Sequence, residues 1–137
     1  MTKRRQPPSP FNPDLPAVEI GLLYPPIPGD RERADGGLGL RHVEVPLVVH
    51  IARPLNTPIA TTFQLYWAGV LVALNQIRDG DEHLTRIPFT VPLNVVREAW
   101  ADPVFANVIR TSGNNSQTLP LRLRVNLRRP GGQAPEP

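Results

Sequence analysis

Apolar and polar residues take turns along several brief runs of this chain, and the clearest run is the last. Over residues 118–127, Leu119, Leu121, Leu123, Val125 and Leu127 are separated by Thr118, Pro120, Arg122, Arg124 and Asn126. Successive side chains on a strand point to opposite faces, so this spacing predicts a half-buried β-strand with one apolar side. Residues 112–117 are all turn formers and residues 104–111 read as extended, which together predict a closing hairpin.

The same period recurs upstream. Residues 17–24 predict a first, edge-type strand, ended by Pro25-Pro26-Ile27-Pro28-Gly29, and residues 30–39 predict a polar, glycine-rich loop. From Leu40 onward, Val43, Val45, Leu47, Val49 and Ile51 share one face, with His42, Glu44, Pro46, Val48 and His50 on the other. Pro46 cannot donate to a ladder, so it marks an edge or a bulge where two short strands meet. After a turn over residues 53–58, Phe63, Leu65 and Trp67 face one side of a strand over 61–67, and Gln64 and Tyr66 face the other. Ala68-Gly69 predicts a tight hairpin into a strand over 70–74, followed by a polar loop over 75–83. Ile87, Phe89 and Val91 point inward from a strand over 86–91. Asn94 then stands where it can cap one helical turn through Ala99. In that turn Leu93, Val96 and Trp100 fall near one face and would lid one end of the core. Asp102-Pro103 predicts the turn into the closing hairpin.

About seven short strands and one short helical turn result. No helix-length apolar periodicity separates the strands, so parallel βαβ units are excluded and the fold class is all-β, an antiparallel β-sandwich. Composition agrees. The 18 prolines and 10 glycines make up about a fifth of the 137 residues, and proline is tolerated at strand edges and turns but not inside helices. The prediction is a proline-rich, disordered or extended arm over 1–16, one sandwich over 17–129 and a flexible tail over 130–137.

The order of features from His42 to Leu127 resembles the immunoglobulin-like modules found in tandem in large bacterial repeat proteins of the adhesin type. The matching pieces are Thr62-Phe63-Gln64-Leu65-Tyr66-Trp67-Ala68-Gly69, then Ile87-Pro88-Phe89-Thr90-Val91-Pro92, a short helical turn, and Arg110-Thr111-Ser112-Gly113-Asn114-Asn115-Ser116 before an alternating last strand. This resemblance implies an immunoglobulin-like fold and a stalk, adhesive or interaction role without catalytic residues, so no site residue is carried over. The chain departs from the pattern in standing alone with its own Met1, in its arm, and in the segment ahead of His42. The expected role is therefore an accessory or partner protein of a bacterial secretion or surface system.

Candidate chemistry is sparse. The chain has no cysteine, which removes disulfides, thiolate metal sites and a cysteine nucleophile. No nucleophile elbow, phosphate loop or zinc-helix signature occurs, and the expectation is no enzyme and no cofactor. His42 and His50 would lie about 26 Å apart on one straight strand, too far to share a metal. His83 with Glu82 falls short of a zinc ligand set. Asp79, Asp81 and Glu82 lack the spacing of a calcium loop and read as a solvated turn. No run approaches a membrane span or a cleaved leader, so the compartment stays open between the cytoplasm and leaderless export.

Net charge is +3, carried almost wholly by arginine, with Lys3 the only lysine. Arg110, Arg122, Arg124, Arg128 and Arg129 gather near the closing hairpin. A charged edge strand discourages aggregation, whereas arginine on a two-stranded ribbon can also enter a DNA groove. The aromatic interleaving of single-strand binders is missing. Trp67 reads as core, Tyr66 as an outward aromatic, and Trp100 as either a cap on the core or exposed. The candidate interaction surface is thus Tyr66, Trp100, Arg110, Arg122 and Arg124. Another protein is the first partner class, through strand addition at an edge or loops at one end. Carbohydrate stacking on Tyr66 or Trp100 is the alternative, with nucleic acid behind it.

Overall fold

Main-chain pairing turns the alternating segments into strands. The computed structural model of the chain describes residues 14–127, and these contain nine strands: β1 (Glu19–Ile20), β2 (Gly36–Gly39), β3 (Leu47–Ala52), β4 (Thr62–Trp67), β5 (Val70–Gln76), β6 (Arg86–Val91), β7 (Ala99–Ile109), β8 (Asn115–Gln117) and β9 (Leu121–Asn126). They form two sheets. The smaller runs β1-β3-β6, and the larger runs β2-β9-β7-β4-β5 with β8 paired to the far half of β7. β7 is the spine of the larger sheet, bonded to β4 along one side and to β9 and β8 along the other.

The inward positions of both sheets make one core. Val49, Ile51, Ile87, Phe89 and Val91 come from the smaller sheet, and Phe63, Leu65, Trp67, Val104, Val108, Leu123 and Val125 from the larger; each is 2% exposed or less. Removing such side chains from water contributes about 1.5–3 kcal/mol apiece before entropy is counted. The expected all-β sandwich is what the chain forms, and Trp67 lies in its core as its alternation with Phe63 and Leu65 required. Among the described residues no helix is long and apolar enough to cross a membrane.

Several local expectations are corrected. Residues 36–39, expected within a loop, form β2, and β2 runs parallel to β9 rather than antiparallel. Asp35 seeds that pairing: its amide donates to the Arg122 carbonyl at 2.7 Å, and its carboxylate accepts from the Arg122 amide at 2.7 Å. The strand expected over 17–24 shortens to Glu19–Ile20, and Tyr24 bridges to Gly37 instead. The strand expected from Leu40 begins only at Leu47, after a 3-10 turn at Leu40–His42 and bends over 43–45; Val45 is 62% exposed and His42, assigned outward, is buried. Strand β5 runs on through Asn75 and Gln76, which were assigned to a loop.

The C-terminal half departs from expectation in two places. The helical turn is a 3-10 turn of Leu93–Val95 with Pro92 at its cap and no side-chain capping bond from Asn94. Asp102-Pro103 does not end a strand but lies inside β7, where the register with β9 shifts between Ala101 and Val104. Leu119, assigned to the core face, is half exposed in the link between β8 and β9. Thr118 is buried there instead, its hydroxyl accepting from the Ala106 amide at 2.9 Å. At the other terminus Asp14 and Leu15 lie alongside 117–119, with Leu15 bridging Thr118 in parallel. The rest of the predicted arm and the predicted tail lie outside the described residues.

Candidate functional site

Three of the five candidate side chains meet on the outer face of the larger sheet. Trp100 precedes the core residue Ala101, while Arg122 and Arg124 flank the core residue Leu123. Alternation therefore turns all three outward, and Trp100 is paired directly with Arg124. The Arg122 guanidinium lies 4.1 Å and that of Arg124 4.9 Å from the Trp100 ring centroid. Of the two readings for Trp100, a cap on the core beside Leu93 and Val96 or an exposed ring, the outward one holds, and the ring serves as a stacking platform. Only Val96 of that trio is buried.

Both arginines are also ion-paired. Arg122 meets the Asp102 carboxylate at 3.0 Å. Arg124 bridges Asp30 at 3.2 Å and Glu32 at 2.5 Å. Asp30 accepts from the Glu32 and Ala34 amides as well. Hydrogen bonding from Arg124, ahead of the two amides, holds the Asp30 carboxyl below its ordinary value. Asp30 in turn raises Arg124. Among the described residues two guanidiniums thus face three carboxylates, and their charges are offset.

Tyr66 and Arg110 lie elsewhere. Tyr66 points outward from β4 and stacks parallel on Phe105 of β7, with ring centroids 5.0 Å apart and planes at 1°. Arg110 follows the last residue of β7, about 30 Å along that strand from Trp100 at the usual rise per residue. It does not present its guanidinium outward as part of a ribbon. Its Nε donates to the Asn56 carbonyl at 2.7 Å, Nη2 to the Leu55 carbonyl at 3.1 Å, and Nη1 to Ser116 Oγ at 2.8 Å. Arg110, Ser112, Asn114, Asn56 and Thr57 wall a cleft of about 710 Å³ there. Arg128 and Arg129 lie outside the described residues.

The strands that end the two sheet paths differ in how their edges are closed. At β2, Tyr24 donates to and accepts from Gly37 at 2.9 and 3.0 Å. The Tyr24 ring lies over β2, where a Cβ on Gly39 would meet its Cε2 at 2.9 Å, and Arg41 and His42 brace its other sides. His42 is itself fixed, accepting at Nδ1 from the Gly39 amide and bonding through Nε2 to the Leu22 carbonyl. β1 is only two residues long. β6 carries Pro88, and the Asn75 side chain occupies the Pro88 carbonyl at 2.8 Å.

Among the described residues β5 has no such layer over it, although its Asn75 end reaches Pro88 of β6. Its seven residues, Val-Leu-Val-Ala-Leu-Asn-Gln, include no charge and no proline. Val70 is 61% and Leu74 63% exposed, with Leu71 at 42%. Ile77 donates inward to Thr61, so by alternation Asn75 and Ala73 bond to β4 while Leu74 and Gln76 turn their main-chain groups off the sheet. Two devices limit this edge. Val72 is an extra residue where the register shifts, and Asn75 Oδ1 takes the Gln76 amide at 2.8 Å.

Sequence reasoning found the two arginines and the tryptophan but not their carboxylate partners, which lie 20, 92 and 94 residues away in the chain. It also missed Arg53 and the exposed face of β5. The signal for β5 was present: a strand without a single polar residue over 70–74 has no solvent side of its own. No protein-family model, curated protein or solved structure matches this chain.

Proposed function

We propose that this protein is a non-enzymatic interaction module of immunoglobulin-like type that binds another protein by taking an extended segment of it alongside β5. The carrying observation is the contrast among edges: three are shortened, covered or proline-bearing, and the fourth is long, apolar and uncharged. Natural sheets guard their edges against unwanted pairing, so an edge left apolar is a docking element. In strand addition the main chain supplies affinity and pockets for alternate side chains supply selectivity. Leu74 offers the main-chain donor and acceptor, and Leu71 and Leu74 offer the apolar contact.

Strand order supports the immunoglobulin-like part of the reading. With β1, β3 and β6 taken as A, B and E, and β9, β7, β4 and β5 as G, F, C and C′, the pairing follows that of the immunoglobulin sandwich. A buried tryptophan, Trp67, stands on the strand equivalent to C. The bacterial secretion or surface setting rests on the resemblance of residues 42–127 alone.

The competing readings have less behind them. Guanidiniums lie over Trp100 and Phe105 lies over Tyr66, which takes stacking area away from a sugar. The carboxylates around Arg122 and Arg124 would repel phosphate. The proposal is tested by selecting extended peptides against the protein and following amide exchange. Bound peptide should protect the Leu74 amide, and Leu74→Pro, which deletes an edge-facing donor that no ladder bond uses, should weaken binding at least tenfold. Selected peptides that bind equally well to Leu74→Pro would overturn it.

A further inference from the structure

Arg110 is bonded differently from Arg122 and Arg124, the other two candidate arginines. A guanidinium carries five N–H donors. Arg110 commits four bonds, to the carbonyls of Leu55, Asn56 and Asn114 and to Ser116 Oγ, and every acceptor is neutral. Among the described residues Arg86, Arg122 and Arg124 have carboxylate partners and Arg110 has none. Hydrogen bonds to neutral groups orient the charge without cancelling it.

The surroundings sharpen that charge. Arg110 is half-buried, and among the described residues it is the sole charged side chain lining the cleft. Asn56, Thr57, Ser112 and Asn114 supply hydroxyls and amides around it. A concave, partly desolvated wall with one sign of charge focuses its field on whatever enters. One Nη2 hydrogen is uncommitted, and the bond from Nη1 to the Asn114 carbonyl, at 3.4 Å, is the weakest of the set.

The walls are also held in place. Arg53 donates from Nε to Thr57 Oγ1 at 2.9 Å and from Nη2 to the Thr57 carbonyl at 3.0 Å, while Nη1 reaches the Asp81 carbonyl at 2.7 Å. Arg110 fixes the preceding two residues of the same loop. The loop carrying Asn56 and Thr57 is therefore pinned by two guanidiniums, so a ligand would meet a preformed surface and pay little ordering entropy.

We infer that this cleft binds an oxyanion, a carboxylate or phosphate group, on the uncommitted and weakly bonded donors of Arg110 with Ser112 and Asn114 beside it. The protein should be titrated with sodium acetate and, separately, with inorganic phosphate, at ionic strength held constant with chloride. Saturable shifts in 1H-15N spectra, confined to the Arg110 side chain and the 112–114 amides, are expected with at least one of the two. Saturation by acetate assigns a carboxylate source, and saturation by phosphate alone assigns a phosphoryl source. Arg110→Gln removes the charge but also unpins the loop. Asn114→Asp is the cleaner variant, because no bond in the structure depends on the Asn114 side chain. It should weaken the anion at least tenfold with the unfolding midpoint unchanged, and Arg97→Gln should leave the titration as it was. Shifts that never saturate, or that survive Asn114→Asp, would sink the inference.

Discussion

The larger sheet has two edges that solve the same problem in opposite ways. At β2 the chain doubles back and lays Tyr24 over the strand, and among the described residues β5 has no such layer, only the reach of Asn75 to Pro88 of β6. The first solution brings two segments so close that side chains are excluded at Gly36 and Gly39. A Cβ on Gly36 would stand 2.5 Å from Leu23 Cδ2 and 3.0 Å from the Tyr24 carbonyl. The second solution leaves apolar side chains in water and limits the strand only by a bulge and one amide cap. The difference teaches that an edge can be closed by removing side chains as well as by charging them.

The closed edge breaks hardest. Gly36→Val forces bulk into the space held by Leu23 and the Tyr24 carbonyl, and should cost about 2–3 kcal/mol of stability in urea unfolding. Loss of the Tyr24 layer would also expose a second free edge, so the variant should self-associate where the parent does not. Unchanged stability would mean that the Tyr24 segment is not held against β2.

Next in size is the platform that backs the same edge from β7. Trp100→Ala removes the ring under both guanidiniums and should cost about 1–2 kcal/mol, from two cation–π contacts at partly exposed sites. Trp100→Phe should recover part of it, since a smaller ring still offers a face. A value for the phenylalanine variant equal to that for alanine would show that packing area, not stacking, carries the effect.

A smaller, pH-dependent effect comes from Asp30. Its carboxyl sits below its ordinary value of 3.8, with Arg124 as the first cause. A carboxyl that binds its proton less readily when folded contributes stability above its unfolded pKa and loses that contribution as pH falls through the folded one. Melting temperature should therefore drop on acidification below about pH 4. Asp30→Asn should flatten that part of the curve. A variant whose acid profile overlays that of the parent would remove Arg124 and Asp30 from the account.

The sandwich was legible because its core strands follow the two-residue period without interruption. Phe63-Leu65-Trp67 and Ile87-Phe89-Val91 each read as one buried face, and each is one. The edges were not legible, because what decides them is proximity between segments far apart in sequence. Gly36–Gly39 has no alternation to read; it is a strand because β9 and Tyr24 lie on either side of it. Asp102-Pro103 carries a strong turn signal, yet the ladder with β9 resumes at Val104 and absorbs it as an irregularity. Trp100 was placed by a helical period that the chain adopts for only three residues, Leu93–Val95. Arg110 was read as surface charge because nothing local reveals that the carbonyls of Leu55 and Asn56, more than fifty residues earlier, would turn towards it. Charge is visible in a sequence, and its partner is not.

The open edge should be the least sensitive to substitution in the isolated protein and the most sensitive once a partner is present. Leu74 already lies largely in water, so Leu74→Lys removes little buried area and should move the unfolding free energy by no more than about 0.5 kcal/mol. The same change places a cation on the strand that strand addition would cover. Pairing a partner there would desolvate the ammonium, so affinity for a selected peptide should fall several-fold, and by less than for Leu74→Pro, because the main-chain donor survives. The order of the two variants separates the two contributions. If lysine weakens binding more than proline does, the side chain of Leu74 and not its amide makes the contact, and the partner lies on the face of the sheet beside Tyr66 rather than along its edge.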